Sequence, residues 1–266
     1  MSKNEGASLP RALRILCFLS LFSLLAGASS ASAQTSPPSP FYARANTFAV
    51  FGAYSGDSSH ILMGNAENRK LLDFGVSFNR RLFLDRIVNW QYSGELLPVA
   101  LESDPLGHVV NNQTSPTVAT YSENLFYAEL SCAPLTTSYN FTLPNQNGGT
   151  TTYTGTETIS CSGRQWTIGE AISPVGFQWN FLPRRKTQPF FSGHGGYMYS
   201  TRAIPLDSAG SFNFTFDLGA GVELYRSKTR SIRAEYRYHH ISNHGTATAN
   251  PGIDNGLFQL TYAFGR

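Results

Sequence analysis

Residues 211–225 read SFNFTFDLGAGVELY, and the apolar positions Phe212, Phe214, Phe216, Leu218, Ala220, Val222 and Leu224 alternate strictly with Asn213, Thr215, Asp217, Gly219, Gly221 and Glu223. Successive side chains of a β-strand point to opposite faces, so a period of two over this length makes a strand with one apolar and one polar face. Leu72, Phe74, Val76 and Phe78 alternate in the same way with Asp73, Gly75, Ser77 and Asn79, as do Val88, Trp90 and Tyr92 with Asn89, Gln91 and Ser93. Phe258, Leu260, Tyr262 and Phe264 repeat the pattern near the C-terminus.

Working outward, eight such segments emerge, at about 47–54, 72–82, 87–98, 166–181, 188–199, 211–225, 231–241 and 256–264. Eight is the smallest even number of strands that closes a membrane barrel. The apolar parity of the fourth switches near Ser173-Pro174, which predicts a bulge there. The connections alternate between short (83–86, 182–187, 226–230) and long (55–71, 99–165, 200–210, 242–255). Short periplasmic turns and long external loops are the rule for outer-membrane barrels, so the pattern predicts an all-β, eight-stranded antiparallel transmembrane β-barrel whose first strand starts in the periplasm. A soluble barrel of lipocalin type is the alternative. It fits less well, because the polar face carries Gly, Ser, Thr, Asn and Gln with isolated charges such as Asp217 and Glu223, which suits a narrow hydrogen-bonded interior.

The N-terminus supports export. Arg11 and Arg14 precede the apolar stretch 15–26, and Ala31-Ser32-Ala33 gives an A-x-A cleavage site, so residues 1–33 read as a signal peptide. The stretch is shorter than the roughly 20 residues that a transmembrane helix needs. Gln34 follows the site, which argues against a lipoprotein. Residues 34–45, with Pro37, Pro38 and Pro40, read as a linker, and 46–266 as the barrel with a long external loop at 99–165 that carries strand extensions around Leu125 to Leu130. Residues 1–33 hold Lys3, Arg11, Arg14 and Glu5, so the net charge of +3 falls to +1 without them, and nucleic acid is not an expected partner. Cys17 leaves with the signal, and Cys132 and Cys161, in an oxidising compartment, are predicted to form a disulfide.

Residues 236–255, YRYHHISNHGTATANPGIDN, hold the candidate chemistry. Strand parity puts His240 and Ser242 on the lipid side, and extrapolating the last strand backward puts Asp254 on the same surface. Exposing such groups near hydrocarbon costs free energy and gains a barrel nothing, so the pattern asks for a function. The three residue types make an activated serine: Ser242 as nucleophile, His240 as base, and Asp254 orienting the imidazole. Asn250, Gly252 and the backbone near Gly245 are candidate oxyanion donors. Spacing alone leaves the alternative open that His240 and Ser242 merely sit in the interfacial zone.

The segments RYHHISN and NPGID, in the last hairpin of an exported eight-stranded barrel, resemble the lipid A 3-O-deacylase family of PagL-type outer-membrane esterases. The family's H-x-S-N motif falls on His240, Ser242 and Asn243, and its N-x-G-x-acidic motif on Asn250, Gly252 and Asp254. The resemblance implies a Ser-His-acid triad on the outside of the barrel with no metal or other cofactor, an oxyanion role for Asn250 or Gly245, and lipid A of the outer leaflet as partner. It leaves open whether the barrel forms a homodimer. Two features depart from it: the acid is Asp254 where the best-known members have Glu, and the 99–165 loop is longer than expected. Other readings are an esterase acting on phospholipids, and a structural or adhesive barrel whose large loop is the functional part. Gly193-His194-Gly195-Gly196 resembles a lipase oxyanion loop but falls within a strand; His239, Glu235 and Arg237 read as an interior network; and Arg184-Arg185-Lys186 reads as a solvated turn.

Overall fold

The structure, a computed structural model, describes residues 41–113, 119–126, 132, 134–206 and 208–266. The predicted signal peptide, most of the linker and part of the strand extension expected near Leu125 to Leu130 lie outside them. Among the described residues there are ten strands: β1 (Asn46–Ser55), β2 (Lys70–Leu84), β3 (Val88–Gln113), β4 (Ala119–Phe126), β5 (Leu135–Pro144), β6 (Thr150–Phe181), β7 (Thr187–Ser200), β8 (Phe212–Tyr225), β9 (Arg230–Ser242) and β10 (Ile253–Gly265). All pairings are antiparallel, and β1 pairs with both β2 and β10. A further pairing of β3 with β6 closes the order β3-β2-β1-β10-β9-β8-β7-β6 into an eight-stranded ring.

The eight predicted segments are the eight strands of this ring. The ladder shifts register between Ile172 and Val175, where the parity switch predicted a bulge. Alternation dictates the two faces. On β8, Asn213, Thr215, Asp217 and Glu223 are buried inside, while Phe212, Phe216, Leu218, Val222 and Leu224 are exposed on the outer wall. A closed sheet with this apolar exterior leaves no unpaired edge and suits a hydrocarbon surround.

The interior holds a charge-paired network. Arg237 donates to both oxygens of Glu95, at 2.9 and 2.8 Å, and His194 Nδ1 lies 2.8 Å from Asp217 Oδ1. Toward the short-turn end, Arg44 donates to Glu223 at 2.5 Å, so the last residues of the predicted linker are packed into the barrel.

The 99–165 insertion is largely sheet. β3 and β6 run on beyond the ring as a paired ribbon as far as Gln113 opposite Gly155, with β4 added to β3 and β5 to β6. The ribbon carries the Cys132 to Cys161 disulfide, with a Cα separation of 5.7 Å. β5 is wet on both faces, which removes the alternation that marks the ring strands.

Candidate active site

The final hairpin sets the geometry. β9 and β10 pair with Asp254 directly opposite His240 and Gly256 opposite Tyr238. Directly opposed residues on one face of an antiparallel pair have Cβ atoms about 4.5–5.5 Å apart. A short aspartate therefore reaches its partner: His240 Nδ1 is 2.6 Å from Asp254 Oδ1. With Nδ1 committed to the carboxylate, Nε2 is the nitrogen left to accept a proton.

Asp254 receives more than the imidazole. The Tyr238 hydroxyl donates to Oδ1 at 2.9 Å, and the backbone N–H groups of Leu62 and Met63 donate to Oδ2 at 2.7 and 2.8 Å. Four donors on one carboxylate favour its charged form, which is otherwise costly on an apolar wall. The amides come from the connection between β1 and β2, which folds back over the start of β10. Ser58 bridges to Asn255, Ala66 bridges to Ile253, and Asn65 N–H donates to Pro251 O at 2.8 Å. Gly64 lies so close that a Cβ there would sit 2.5 Å from Asp254 N, and Asp254 is left with no exposed surface. This cradle was missed in the sequence, because main-chain donors leave no side-chain signature. Tyr238 shares the outer face with His240 by strand parity.

Ser242, the last residue of β9, is half-buried on the same face as His240. Among the described residues no hydrogen bond joins it to His240. A strand rises about 3.3 Å per residue, so two residues on one face start roughly 6.6 Å apart at Cα and one side chain must lean toward the other. Catalytic hydrogen bonds often tighten only with substrate in place.

The loop after β9 is organised by Asn243, which is buried. Its N–H donates to Asn250 Oδ1 at 3.1 Å, its Oδ1 accepts from Gly245 N–H at 2.9 Å, and its Nδ2 donates to Ala249 O at 2.6 Å. Asn243 is thus the knot that places Asn250 beside the hairpin end. Of the predicted oxyanion donors, Gly245 has its amide engaged within the loop. Asn250 uses only its oxygen there, so its NH2 group is the better candidate. Gly252 has φ of +66°, and a Cβ on it would lie 3.1 Å from His240 Cε1, so glycine keeps both the turn and the space beside the imidazole.

Below the hairpin end the outer wall is apolar. Tyr236 crosses over Gly256, where a Cβ would meet the tyrosine hydroxyl oxygen at 1.9 Å. Further down, Gly52, Phe74, Ile232 and Leu260 line a shallow groove.

The model of the family described as lipid A 3-O-deacylase (PagL) matches residues 125–263, just over half of the chain and all of the candidate site except the first loop. The chain belongs to the lipid A 3-O-deacylase family. Membership supports an outer-membrane β-barrel enzyme that deacylates lipid A. Among solved structures, the chain is similar to the outer membrane enzyme PagL at 14% identity, covering 84% of this chain and 100% of that one, with a TM-score of 0.42. It is similar to Neisserial surface protein A at 9% identity, covering 83% and 97%, with a TM-score of 0.39. The outer membrane protein OprG from Pseudomonas aeruginosa gives 11% identity, 84% and 98% coverage, and a TM-score of 0.39. No curated protein sequence matches the chain.

The remaining sequence candidates lie elsewhere. His194 is buried in the barrel interior, within reach of Glu95 and Asp217. These three could in principle ligate a cation, but the Arg237 guanidinium already occupies both oxygens of Glu95 and supplies the positive charge.

Proposed function

We propose that this protein is a serine esterase of the outer leaflet that removes an ester-linked acyl chain from lipid A, at the 3-O position that the family description names. The observation that carries the reading is the His240 to Asp254 contact of 2.6 Å on the lipid-facing wall, two residues from Ser242. Ser242 Oγ attacks the ester carbonyl carbon while its proton passes to His240 Nε2, and Asp254 stabilises the resulting imidazolium. The Asn250 NH2 group is the proposed donor to the tetrahedral oxyanion. The tetrahedral intermediate then collapses, the bond between the acyl carbon and the sugar oxygen breaks, and His240 gives its proton to that departing alkoxide, leaving an acyl-Ser242. Water activated by His240 releases the fatty acid and restores the serine.

The site requires no metal for this sequence of steps. The outer wall gives the acyl chain a place to lie, past Tyr236 and Phe258 toward the groove at Gly52 and Leu260, so the ester reaches the hairpin end while its tail stays in hydrocarbon. The test is mass spectrometry of lipid A after incubation with refolded wild-type protein and with Ser242→Ala. Loss of one acyl chain, with the matching free fatty acid, is expected for the wild type only. Equal loss with both proteins would remove Ser242 from the mechanism. No loss with either, in folded protein, would favour another acyl ester or a structural barrel.

A further inference from the structure

The two residues whose amides hold Asp254 also present the most prominent apolar side chains at this rim. Leu62 is 75% exposed and Met63 55%, and Ile61 beside them is 44% exposed. Three consecutive large apolar residues at a loop tip are costly in water. Their position is fixed: Leu62 and Met63 N–H groups lie within 2.8 Å of Asp254 Oδ2. Gly64 packs against Ile253 and Asp254, and the ideal Cβ of Gly252 is 3.4 Å from Gly64 Cα and 3.1 Å from His240 Cε1. The tip therefore overlies the outer face of β10 beside the imidazole, continuous with the apolar wall.

We infer that the loop tip at Ile61, Leu62 and Met63 is a binding surface for the acyl chain of the ester being cleaved, and that it selects long chains over short ones. This rests on the esterase reading above. The argument for that occupant is adjacency: the ester must reach Ser242 beside His240, and the hydrocarbon attached to its carbonyl must then leave the site along an apolar surface. The tip and the wall form one such surface, so the chain passes Leu62 and Met63 and then follows the wall past Tyr236 and Phe258. Because the same residues hold the acid through their main chain, side-chain substitution separates chain binding from acid positioning.

The experiment measures kcat/KM in detergent micelles for the p-nitrophenyl esters of hexadecanoate and butanoate, and takes their ratio. For the double variant Leu62→Asn, Met63→Asn the ratio is expected to fall about thirtyfold, as two side chains' worth of apolar contact is lost to the long chain only. The swapped variant Leu62→Met, Met63→Leu keeps the apolar surface and is expected to hold the ratio within about twofold of wild type. Folding is checked by the electrophoretic mobility of unheated samples. An unchanged ratio in the polar variant, with wild-type protein active, overturns the loop's role and leaves the esterase reading standing. A wild type that cleaves neither these esters nor lipid A overturns both.

Discussion

Replacing Asp254 by asparagine keeps the side chain's shape and changes only which atoms donate, so its effect can be worked from the four contacts at the carboxylate. An asparagine can be placed in two ways. If its oxygen faces Leu62 and Met63, both amides remain satisfied, and its NH2 group faces Tyr238 and His240 Nδ1. The tyrosine oxygen can accept, but Nδ1 can accept only if the imidazole proton moves to Nε2. If the amide is flipped, its NH2 group meets two N–H donors, and leaving buried donors without an acceptor costs about 1–3 kcal/mol each. The first placement wins, and it fixes the tautomer that cannot take the serine proton. A wrong tautomer in a Ser-His-Asp triad lowers kcat by about ten-thousandfold, or about 5.5 kcal/mol at 1.36 kcal/mol per decade. The assay is the initial rate of fatty-acid release from lipid A in detergent micelles, with folding confirmed by heat-dependent mobility. A variant retaining more than a tenth of wild-type activity would refute the role given to Asp254.

Three further outcomes follow from particular contacts. Tyr238→Phe removes one donor to Asp254 without disturbing the fold, and is expected to lower kcat about tenfold with little change in KM, measured by the same release assay. Gly64→Ala puts a methyl within 2.5 Å of Asp254 N and 2.8 Å of Ile253 C, so the first loop must lift and take its amides with it; an activity loss of about a hundredfold is expected in the same assay. Arg237→Met leaves Glu95 buried without its bidentate partner and is expected to cost about 3–5 kcal/mol of stability, seen as a lower urea midpoint for the barrel in phospholipid vesicles, with initial rates of the folded protein unaltered.

The ring was legible because both faces of each strand carry a signal. In β8 the odd positions Asn213, Thr215, Asp217 and Glu223 are buried polar groups and most even positions are exposed apolar ones, so parity alone located the wall. The same parity brought His240, Ser242 and Asp254 to one surface, and the cross-strand register turned the His and Asp members into a contact. The ribbon beyond the ring was legible only as a strand extension around Leu125 to Leu130, of which the described β4 reaches Phe126. β5, LTTSYNFTLP, is solvated on both sides, and with nothing to bury there is no reason for its residues to alternate. The acid's cradle escaped for a different reason, since a backbone N–H belongs to every residue and only the tertiary fold brings those of Leu62 and Met63 to Asp254. Gly64 was the one available hint, and a glycine in a loop more commonly marks a turn than a close approach to a distant strand.

Direct opposition across the ladder also decides what the acid must be. The family resemblance makes glutamate the expected residue at this place, yet here the site is closed around aspartate. The carboxylate has no exposed surface, one oxygen is bounded by two main-chain amides, and Gly64 packs against its Cγ at 2.9 Å from an ideal Cβ. A glutamate at 254 would carry its carboxylate about 1.5 Å further along, through the space that the first loop fills. Either the loop lifts and gives up its two hydrogen bonds, or the longer side chain folds back and loses its line to Nδ1. Both displacements exceed the tolerance of a positioned catalytic group, for which about 1 Å costs roughly a hundredfold. Asp254→Glu is therefore expected to lose about that much activity in lipid A deacylation. Deleting residues 61–63 in the same variant is not expected to restore activity, because the two amides that hold the acid go with the loop. A single variant as active as wild type would mean that the loop yields freely, and that its amides do not hold the acid during turnover.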